Sequence, residues 1–526
     1  MPISRRTFLK STAMAMGVVS ESKQLVAEPL NMRTDVWSKG KGEDSGNSAQ
    51  DPATIAVDCS KVKHTMAGGA GASWHAIGPT GFWYKDLQGR ANRNARGSGW
   101  GGYPPLERTQ AWDDIRRHAR WLALNFIRVE IDQRMYEPEG GRFDWDNSEI
   151  GALLAILDWC EENKADVFFT QMWPDVEWNA YKKVGRLQSS PKSVQDFVQG
   201  MAVLMQYLTQ KRGYTCIRWL AIVNEPGLEE TWWLGPEGKP ASLMPALRAL
   251  GAELDQRRID VHLSGPDYGI DWKTPDIFDF DDPVVGAHDG HNYSTGLSTN
   301  NNLQELWAKR AHARRIPFFQ SEFGSWAGDN PFKHPETVAP RSYLNQLINA
   351  ENLLRGMTVG VDGFNRWSFL NRGDLDGQWQ LVRTWNPRTW DYHKEVLPEP
   401  VPYYSYGILT RFMAKYSRVL EVDVKDSDLI VSAIRSPKGN VTIYILNKSG
   451  TQRVNLAIKN LERINVLYKY QVTEGSVERP EYQMNPLSSY EVGTGKPEIT
   501  DELPSNSITV YSSYKLEHAQ AGIMVD

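Results

Sequence analysis

Two glutamates have the type and the spacing from which chemistry can be argued. Glu225 stands in Asn224-Glu225-Pro226, at the end of the apolar run Ile217-Arg218-Trp219-Leu220-Ala221-Ile222-Val223. Glu322 stands in Ser321-Glu322-Phe323-Gly324, at the end of Ile316-Pro317-Phe318-Phe319-Gln320. Each run has strand length and near-continuous apolar character, the pattern of a strand buried on both faces in a parallel sheet. Pro226 stops the first run because proline donates no ladder hydrogen bond. The glutamates lie 97 residues apart, room for three βα units at about 30 residues each. If Glu225 closes strand four, Glu322 therefore closes strand seven. In a closed (β/α)8 barrel both then face one mouth, at the carboxyl ends of the strands. Two carboxyl groups flanking one small space are what glycoside hydrolysis requires. Singly, each glutamate reads equally well as a surface carboxylate at a strand end; it is the pair in this arrangement that favours chemistry.

The elements that must position this pair recur along the chain. Met66–Trp74 reads as strand one, its glycines suited to close backbone approach at a barrel mouth. Asn125–Ile131 is strand two, and Arg128 interrupts it; a buried arginine there needs an anionic partner, in a site or as an ion pair in the barrel wall. Ala165–Pro174, ending in Trp173-Pro174, is strand three. Asp260–Gly265 is strand five. Val284–His288 is strand six and runs into Asp289-Gly290-His291-Asn292-Tyr293. Val361–Ser368 is strand eight and contains Trp367. Helical periodicity lies between them at Glu107–Leu124, Asn147–Asn163, Ser193–Thr209, Leu243–Arg257, Leu303–Arg314 and Tyr343–Met357. This alternation is the signature of a parallel α/β fold, and eight units fit between Met66 and about Leu397. A long loop after strand one holds Trp83, Tyr84, Trp100 and Tyr103, and another after strand eight holds Trp379, Trp385, Trp390 and Tyr392.

Outside the barrel, Thr54–Cys59 alternates as a short strand. From Tyr403 the pattern changes: an amphipathic segment at Tyr406–Tyr416 is followed by short strands at Leu429–Arg435, Asn440–Asn447, Arg453–Ile458, Asn465–Val472 and Ser507–Tyr514. Short strands so spaced predict an antiparallel β-sandwich. The expected organisation is a signal at 1–27, a flexible linker at 28–52, a separate strand at 53–62, a (β/α)8 TIM barrel at 63–402, a β-sandwich at 403–516 and a tail at 517–526.

The bulk properties narrow the partners. A chain of 526 residues with 40% hydrophobic and 23% charged content is globular in composition. The net charge of −5 leaves no basic footprint for nucleic acid. Three cysteines, Cys59, Cys160 and Cys216, form no disulfide framework. No CxxC or HExxH pattern occurs, and Asp374-Leu375-Asp376-Gly377 lacks the later ligands of a calcium loop and reads as a turn, so neither metal nor cofactor is signalled. Twenty tryptophans and 21 tyrosines serve first as core, and also as platforms for the apolar faces of sugar rings. At the start, Ser4-Arg5-Arg6-Thr7-Phe8-Leu9-Lys10 precedes a short, weakly apolar segment at Ser11–Ser20. This resembles a twin-arginine export signal and is too short and polar to span a membrane in the mature protein. It implies folding in the cytoplasm and then export to the periplasm or beyond.

Taken in order, these residues resemble clan A of the glycoside hydrolases. That clan carries arginine on strand two, Asn-Glu on strand four, His or Tyr after strand six, Glu on strand seven and Trp on strand eight. Arg128, Asn224-Glu225, His291 and Tyr293, Glu322 and Trp367 match it. The resemblance covers about Thr54 to Tyr514 and in layout is most similar to family 30, in which a strand before the barrel joins the C-terminal sandwich; Thr54–Cys59 would be that strand. Family 5 typically carries a histidine after strand three, where this chain has Trp173. The resemblance implies an exported, retaining β-glycosidase acting on β-linked oligo- or polysaccharide. Glu322 would attack the anomeric carbon, beside Arg128 and the Tyr293 hydroxyl. Glu225 would protonate the leaving oxygen and then activate water. Asn224 would donate to the sugar 2-hydroxyl, Trp367 would floor the subsite, and Trp173 and His291 would bind substrate.

Two rival readings come from other classes. A carbohydrate-binding protein on a barrel that has lost catalysis would not need both glutamates together with Arg128 and Asn224. A phosphate-binding lyase would need a Gly-rich phosphate loop after strands seven or eight, and none is present there.

Overall fold

Eight parallel strands form one sheet in chain order: Ala70–Ala72, Phe126–Ile131, Asp166–Gln171, Ile217–Ala221, His262–Gly269, Val285–Asn292, Phe318–Phe323 and Gly363–Arg366. The eighth strand pairs with the first, Phe364 opposite Ala70. The first meets the second through Asn125 N–H to Ala70 O (3.0 Å), Trp74 N–H to Arg128 O (2.9 Å) and a parallel bridge between Ser73 and Arg128. The sheet is thus a closed barrel. These features come from a computed structural model that describes residues 51–77, 103–171, 178–179, 183–184, 187–188, 191–226, 243–269, 281–293, 301–325, 340–370, 379–386, 391–426, 428–479, 481–493 and 498–525.

Inward positions repeat every second residue of a strand, and that period stacks the barrel interior in layers. Phe126, Phe168 and Phe319, with Ala221, Ala287 and Trp219, fill its lower part. Two residues further along the second and third strands, Arg128 and Thr170 lie above this apolar plug, and Glu130 lies two beyond Arg128. Arg128 and Glu130 are thereby carried toward the end of the barrel where the strands finish. The glycines of the first strand work at the opposite end from the one expected. A Cβ on Gly71 would overlap the carbonyl oxygen of Phe126, and Gly68 lies against Gly363. Both neighbours open their strands, so the close approach is at the base and not at the mouth.

The helices follow the expected order, at Thr109–Trp121, Ser148–Asn163, Val194–Gln206, Leu243–Arg257, Asn301–Ala313 and Tyr343–Val359. Asn147, Ser193 and Ser342 cap three of them by accepting backbone N–H groups of the first turn, the capping chemistry these side chains favour. No helix among the described residues is long and apolar enough to cross a membrane.

The C-terminal strands build a nine-stranded sheet around their own apolar core. The strand Ala53–Thr65 lies inside that sheet, antiparallel to Arg418–Val424 and parallel to Gln452–Lys459. The parallel pair departs from the all-antiparallel pattern, because a strand arriving from before the barrel is not held to hairpin order. Lys469 reaches Asp501 at 2.7 Å, and Tyr511 donates to the same carboxylate at 2.5 Å. Those strands are far apart in the sheet order, so the sheet folds over on itself into two faces. Strands at Arg418–Val424, Ser488–Glu491 and Glu498–Leu503 add to those expected, and a hairpin of Val382–Asn386 with Asp391–Pro398 lies in the stretch read as a long loop. The segment expected at Tyr406–Tyr416 overlaps only the end of a helix at Pro400–Thr410, which proline starts at its first turn. The tail docks on the barrel: Arg411 donates to the Glu517 and Gln520 carbonyls, and Trp121 Nε1 donates to His518 O at 2.7 Å. All three cysteines are buried and unpaired by disulfides.

Candidate active site

The second strand ends the layering with Arg128, which is fully buried. A buried guanidinium must be surrounded by acceptors, and four side chains supply them. Arg128 donates to Glu322 Oε2 at 2.7 Å, Asn224 Oδ1 at 2.6 Å, Asp267 Oδ2 at 3.1 Å and Glu130 Oε1. Burial works against its charge, but Asp267, Glu130 and Glu322 outweigh it and raise its affinity for the proton. The arginine therefore ties strands two, four, five and seven together at one level.

Glu322 lies near the end of the seventh strand. Its second oxygen accepts the Tyr293 hydroxyl at 2.6 Å, so both oxygens have donors. Desolvation, then the neighbouring Glu322 charge and hydrogen bond, push the Tyr293 phenol well above its ordinary range. Tyr293 also meets the edge of the buried Trp379 ring, centroids 5.7 Å apart. Gly324 makes this possible: a Cβ there would sit 2.9 Å from both rings.

Glu225 follows the fourth strand with φ at 46°, the left-handed region that a non-glycine residue before proline disfavours. The turn is held by Glu225 N–H to Asp267 O at 3.1 Å and by Asn224 N–H to Gln171 O at 2.6 Å. Strain of this kind collects at functional sites. His291 bridges the acids, with Nδ1 2.9 Å from Glu225 Oε1, Nε2 2.9 Å from Asp267 Oδ1, and Nδ1 3.9 Å from Glu322 Oε1. Burial opposes the imidazolium, yet Glu322 and Asp267 raise its pKa well above the usual value, so both ring nitrogens carry protons and donate. Carboxylate oxygens of Glu225 and Glu322 and a ring nitrogen of His291 lie within 4.8 Å of one another. A cation could be held by such a trio, but here the oxygens of Glu322 are taken by Arg128 and Tyr293, and the His291 nitrogens by protons.

Of the residues singled out in the sequence, Arg128, Asn224, Glu225, His291, Tyr293 and Glu322 form one hydrogen-bonded cluster. Trp367 lies beside it, buried, its ring 5.1 Å from that of His75 and a cis peptide bond joining it to Ser368. His75 accepts the Glu130 N–H at 3.0 Å. Trp173, Trp83, Tyr84, Trp100 and Trp390 lie outside the described residues. Both nitrogens of His291 are committed to carboxylates, so it faces the acids and not an open subsite. Sequence reasoning missed Glu130, Asp267, Asp289 and His75. Glu130 had a signal, two residues after Arg128 and so on the same strand face. Asp267 lay beyond Pro266, where the fifth strand was expected to stop; the strand continues to Gly269 through a cis Gly265–Pro266 bond. Asp289 supports it, accepting Asp267 N–H and the Ser264 hydroxyl at 2.6 Å each. Desolvation, then the Asp267 charge, raise Asp289 to about 7.

The barrel with its C-terminal sheet has a fold similar to that of solved glycoside hydrolases, family 30 enzymes among them. A family 30 endoxylanase from Clostridium papyrosolvens aligns with a TM-score of 0.60 at 14% identity, covering 88% of this chain and 99% of that one. SrfJ from Salmonella typhimurium aligns at 0.59 and 14%, covering 90% and 95%. A monomeric β-xylosidase from Caulobacter crescentus aligns at 0.57 and 13%, covering 88% and 99%. No sequence-family model and no curated protein sequence matches the chain.

Proposed function

We propose that this protein is a retaining β-glycoside hydrolase acting on a β-linked oligo- or polysaccharide. The observation that carries the reading is the short gap between the Glu225 and Glu322 carboxylates, whose oxygens approach within 4.8 Å. That approach is compatible with the roughly 5–5.5 Å between carboxyl groups of retaining enzymes. Glu322, held by Arg128 and Tyr293, attacks the anomeric carbon while Glu225 gives its proton to the leaving oxygen. The glycosyl ester on Glu322 is then opened by water that Glu225 deprotonates, and two inversions give net retention. Arg128 takes the Asn224 carbonyl oxygen, which leaves the Asn224 amide N–H groups to donate to a sugar 2-hydroxyl. His291 orients Glu225 through Nδ1. The fold shared with a named endoxylanase and a named β-xylosidase supports a carbohydrate substrate.

The test separates the glutamates by role on a panel of dinitrophenyl β-glycosides, xylans, glucans, mannans and galactans. Glu322→Ala should form no glycosyl-enzyme with any leaving group. Glu225→Ala should lose about 10²–10⁴-fold on the polysaccharide, keep glycosylation by the dinitrophenyl glycoside, and regain turnover with azide as the retained glycosyl azide. Azide rescue giving the inverted product with Glu225→Ala and the retained one with Glu322→Ala would reverse the roles, and an inert wild type across the panel would remove the hydrolase reading.

Export by the twin-arginine route belongs to the same proposal, motivated by Arg5-Arg6 ahead of the apolar segment. Changing both to lysine should hold folded, active enzyme in the cytoplasm; unchanged export would show that the pair is not read.

A further inference from the structure

A second histidine–carboxylate cluster lies at the other end of the barrel, formed by His64, His312 and Asp362. Asp362 immediately precedes the eighth strand, whereas Trp367 follows it; Phe318, which donates its N–H to Asp362 Oδ2 at 2.9 Å, opens the seventh strand, whereas Glu322 lies near its end. His64 belongs to the strand Ala53–Thr65, opposite Val419 in the C-terminal sheet. His312 sits on the helix Asn301–Ala313.

The protons of this cluster can be assigned from its acceptors. His64 Nε2 is 2.7 Å from the Met357 carbonyl oxygen. A carbonyl only accepts, so Nε2 carries the hydrogen, and in the neutral ring Nδ1 presents a lone pair. Nδ1 is buried and has no hydrogen-bond partner. It faces Asp362 Oδ1 at 3.5 Å, beyond the 2.7–3.2 Å of ordinary N–H···O bonds. Two lone-pair atoms thus point at one gap. Ligands about 2.0–2.1 Å from a tetrahedral Zn²⁺ are about 3.3 Å from each other, close to the observed separation. His312 Nε2, 2.8 Å from Asp362 Oδ2, completes a group whose ligand atoms all lie within 4.8 Å. The side chain of His312 is 35% exposed, which gives an ion an entry path and a place for a water ligand. The Met357 carbonyl on His64 and the Phe318 N–H on Asp362 are the outer hydrogen bonds that orient metal ligands.

We propose that His64 Nδ1, His312 Nε2 and Asp362 Oδ1 form a binding site for a divalent transition metal, with Zn²⁺ as the best fit, that pins the strand Ala53–Thr65 to the base of the barrel. Two nitrogens and one carboxylate oxygen suit Zn²⁺ better than Ca²⁺ or Mg²⁺, which favour all-oxygen shells. Binding displaces the hydrogen that His312 Nε2 shares with Asp362, which in a neutral ring moves to Nδ1.

The full-length protein, stripped with EDTA and titrated with ZnCl₂ by calorimetry, should bind one Zn²⁺ per chain at this site. Thermal unfolding should move upward with added Zn²⁺. His312→Ala changes a partly exposed side chain and leaves the fold intact; it should weaken binding at least tenfold and abolish the thermal shift. His64→Gln should do the same if it folds. Glu322→Gln, at the mouth, should bind as wild type does. Absence of saturable binding would make the cluster a proton-held pair only and overturn the proposal. So would binding that His312→Ala leaves unchanged, or binding that Glu322→Gln removes.

Discussion

Both ends of the barrel gather histidine and carboxylate side chains, but at the mouth a guanidinium stands among them. At the mouth, carboxylates gather around Arg128 and His291, and the guanidinium alone donates to four side chains. At the base, two imidazoles and one carboxylate face each other with a buried ring nitrogen that has no hydrogen-bond partner. Between them lies the apolar plug of Phe126, Phe168 and Phe319. Low polarity there strengthens each charge interaction above it. A site whose fixed charges are already paired needs little reorganisation when charge moves during reaction. A site short of a donor is instead suited to take up a cation. The two clusters therefore differ less in residue type than in the supply of positive charge.

Removing that supply at the mouth should have the largest effect. Arg128→Met would leave Glu130, Asp267 and Glu322 facing each other without the guanidinium. Breaking a buried ion pair from one side costs about 3–5 kcal/mol, which a urea unfolding midpoint would register. At the base, His312→Ala in EDTA should cost less, about 1.5–3 kcal/mol, since the side chain removed is partly exposed and the buried Asp362 keeps the Phe318 N–H. Arg142→Met, whose partner Glu139 is on the surface, should stay within about 0.5 kcal/mol. Equal losses for Arg128→Met and His312→Ala would end the contrast drawn between the two ends.

A smaller effect belongs to Tyr293, whose hydroxyl donates to Glu322. Tyr293→Phe keeps the ring against Trp379 and removes only the hydroxyl on Glu322. A hydrogen bond to a charged group contributes about 1.5–3 kcal/mol. On the proposed function, kcat/KM should fall about tenfold to a hundredfold while the unfolding midpoint stays near wild type. Unchanged kinetics would mean that the Tyr293 hydroxyl does not tune Glu322.

Much of this arrangement was legible in the sequence, and its limits have physical causes. Counting βα units put Asn224-Glu225 after the fourth strand and Glu322 in the seventh, and the sheet has that order. Buried parallel strands are read well because both faces are apolar. An arginine in such a strand announces a polar site, and Arg128 is its centre. Asp267 and Asp289 were not legible, since Pro266 appeared to end one strand and a glycine–histidine run to end the next. The base cluster was invisible for another reason. His64, His312 and Asp362 come from three distant elements, and no local period links a strand of the C-terminal sheet to a barrel helix. The short strands at Ser488–Glu491 and Glu498–Leu503 are mostly polar and exposed, so alternation could not mark them.

The finest distinction concerns His291, the mouth's second cation. Its folded-state pKa is raised well above the usual 6.5, burial opposing the charge but Glu322 and Asp267 prevailing. Asp267 shifts the other way: desolvation again opposes, and Arg128 and His291 hold it below the usual 3.8. A raised basic group contributes stability that is complete below its unfolded pKa and is lost as pH climbs through the folded value. A lowered acid contributes stability that is complete above its unfolded pKa and is lost as pH falls through the folded value. Both contributions are therefore complete only between about pH 4 and 6.5. His291→Gln keeps a side chain that hydrogen-bonds and removes the titrating charge. Its unfolding free energy should fall furthest below wild type within that window, and the gap should narrow steadily as pH rises above neutrality. No such window is expected for Arg142→Met, a surface substitution, whose difference from wild type should be flat across the same range. A gap between wild type and His291→Gln that widens at alkaline pH would contradict a protonated His291 held between Glu225 and Asp267, and would require a neutral ring at the mouth instead.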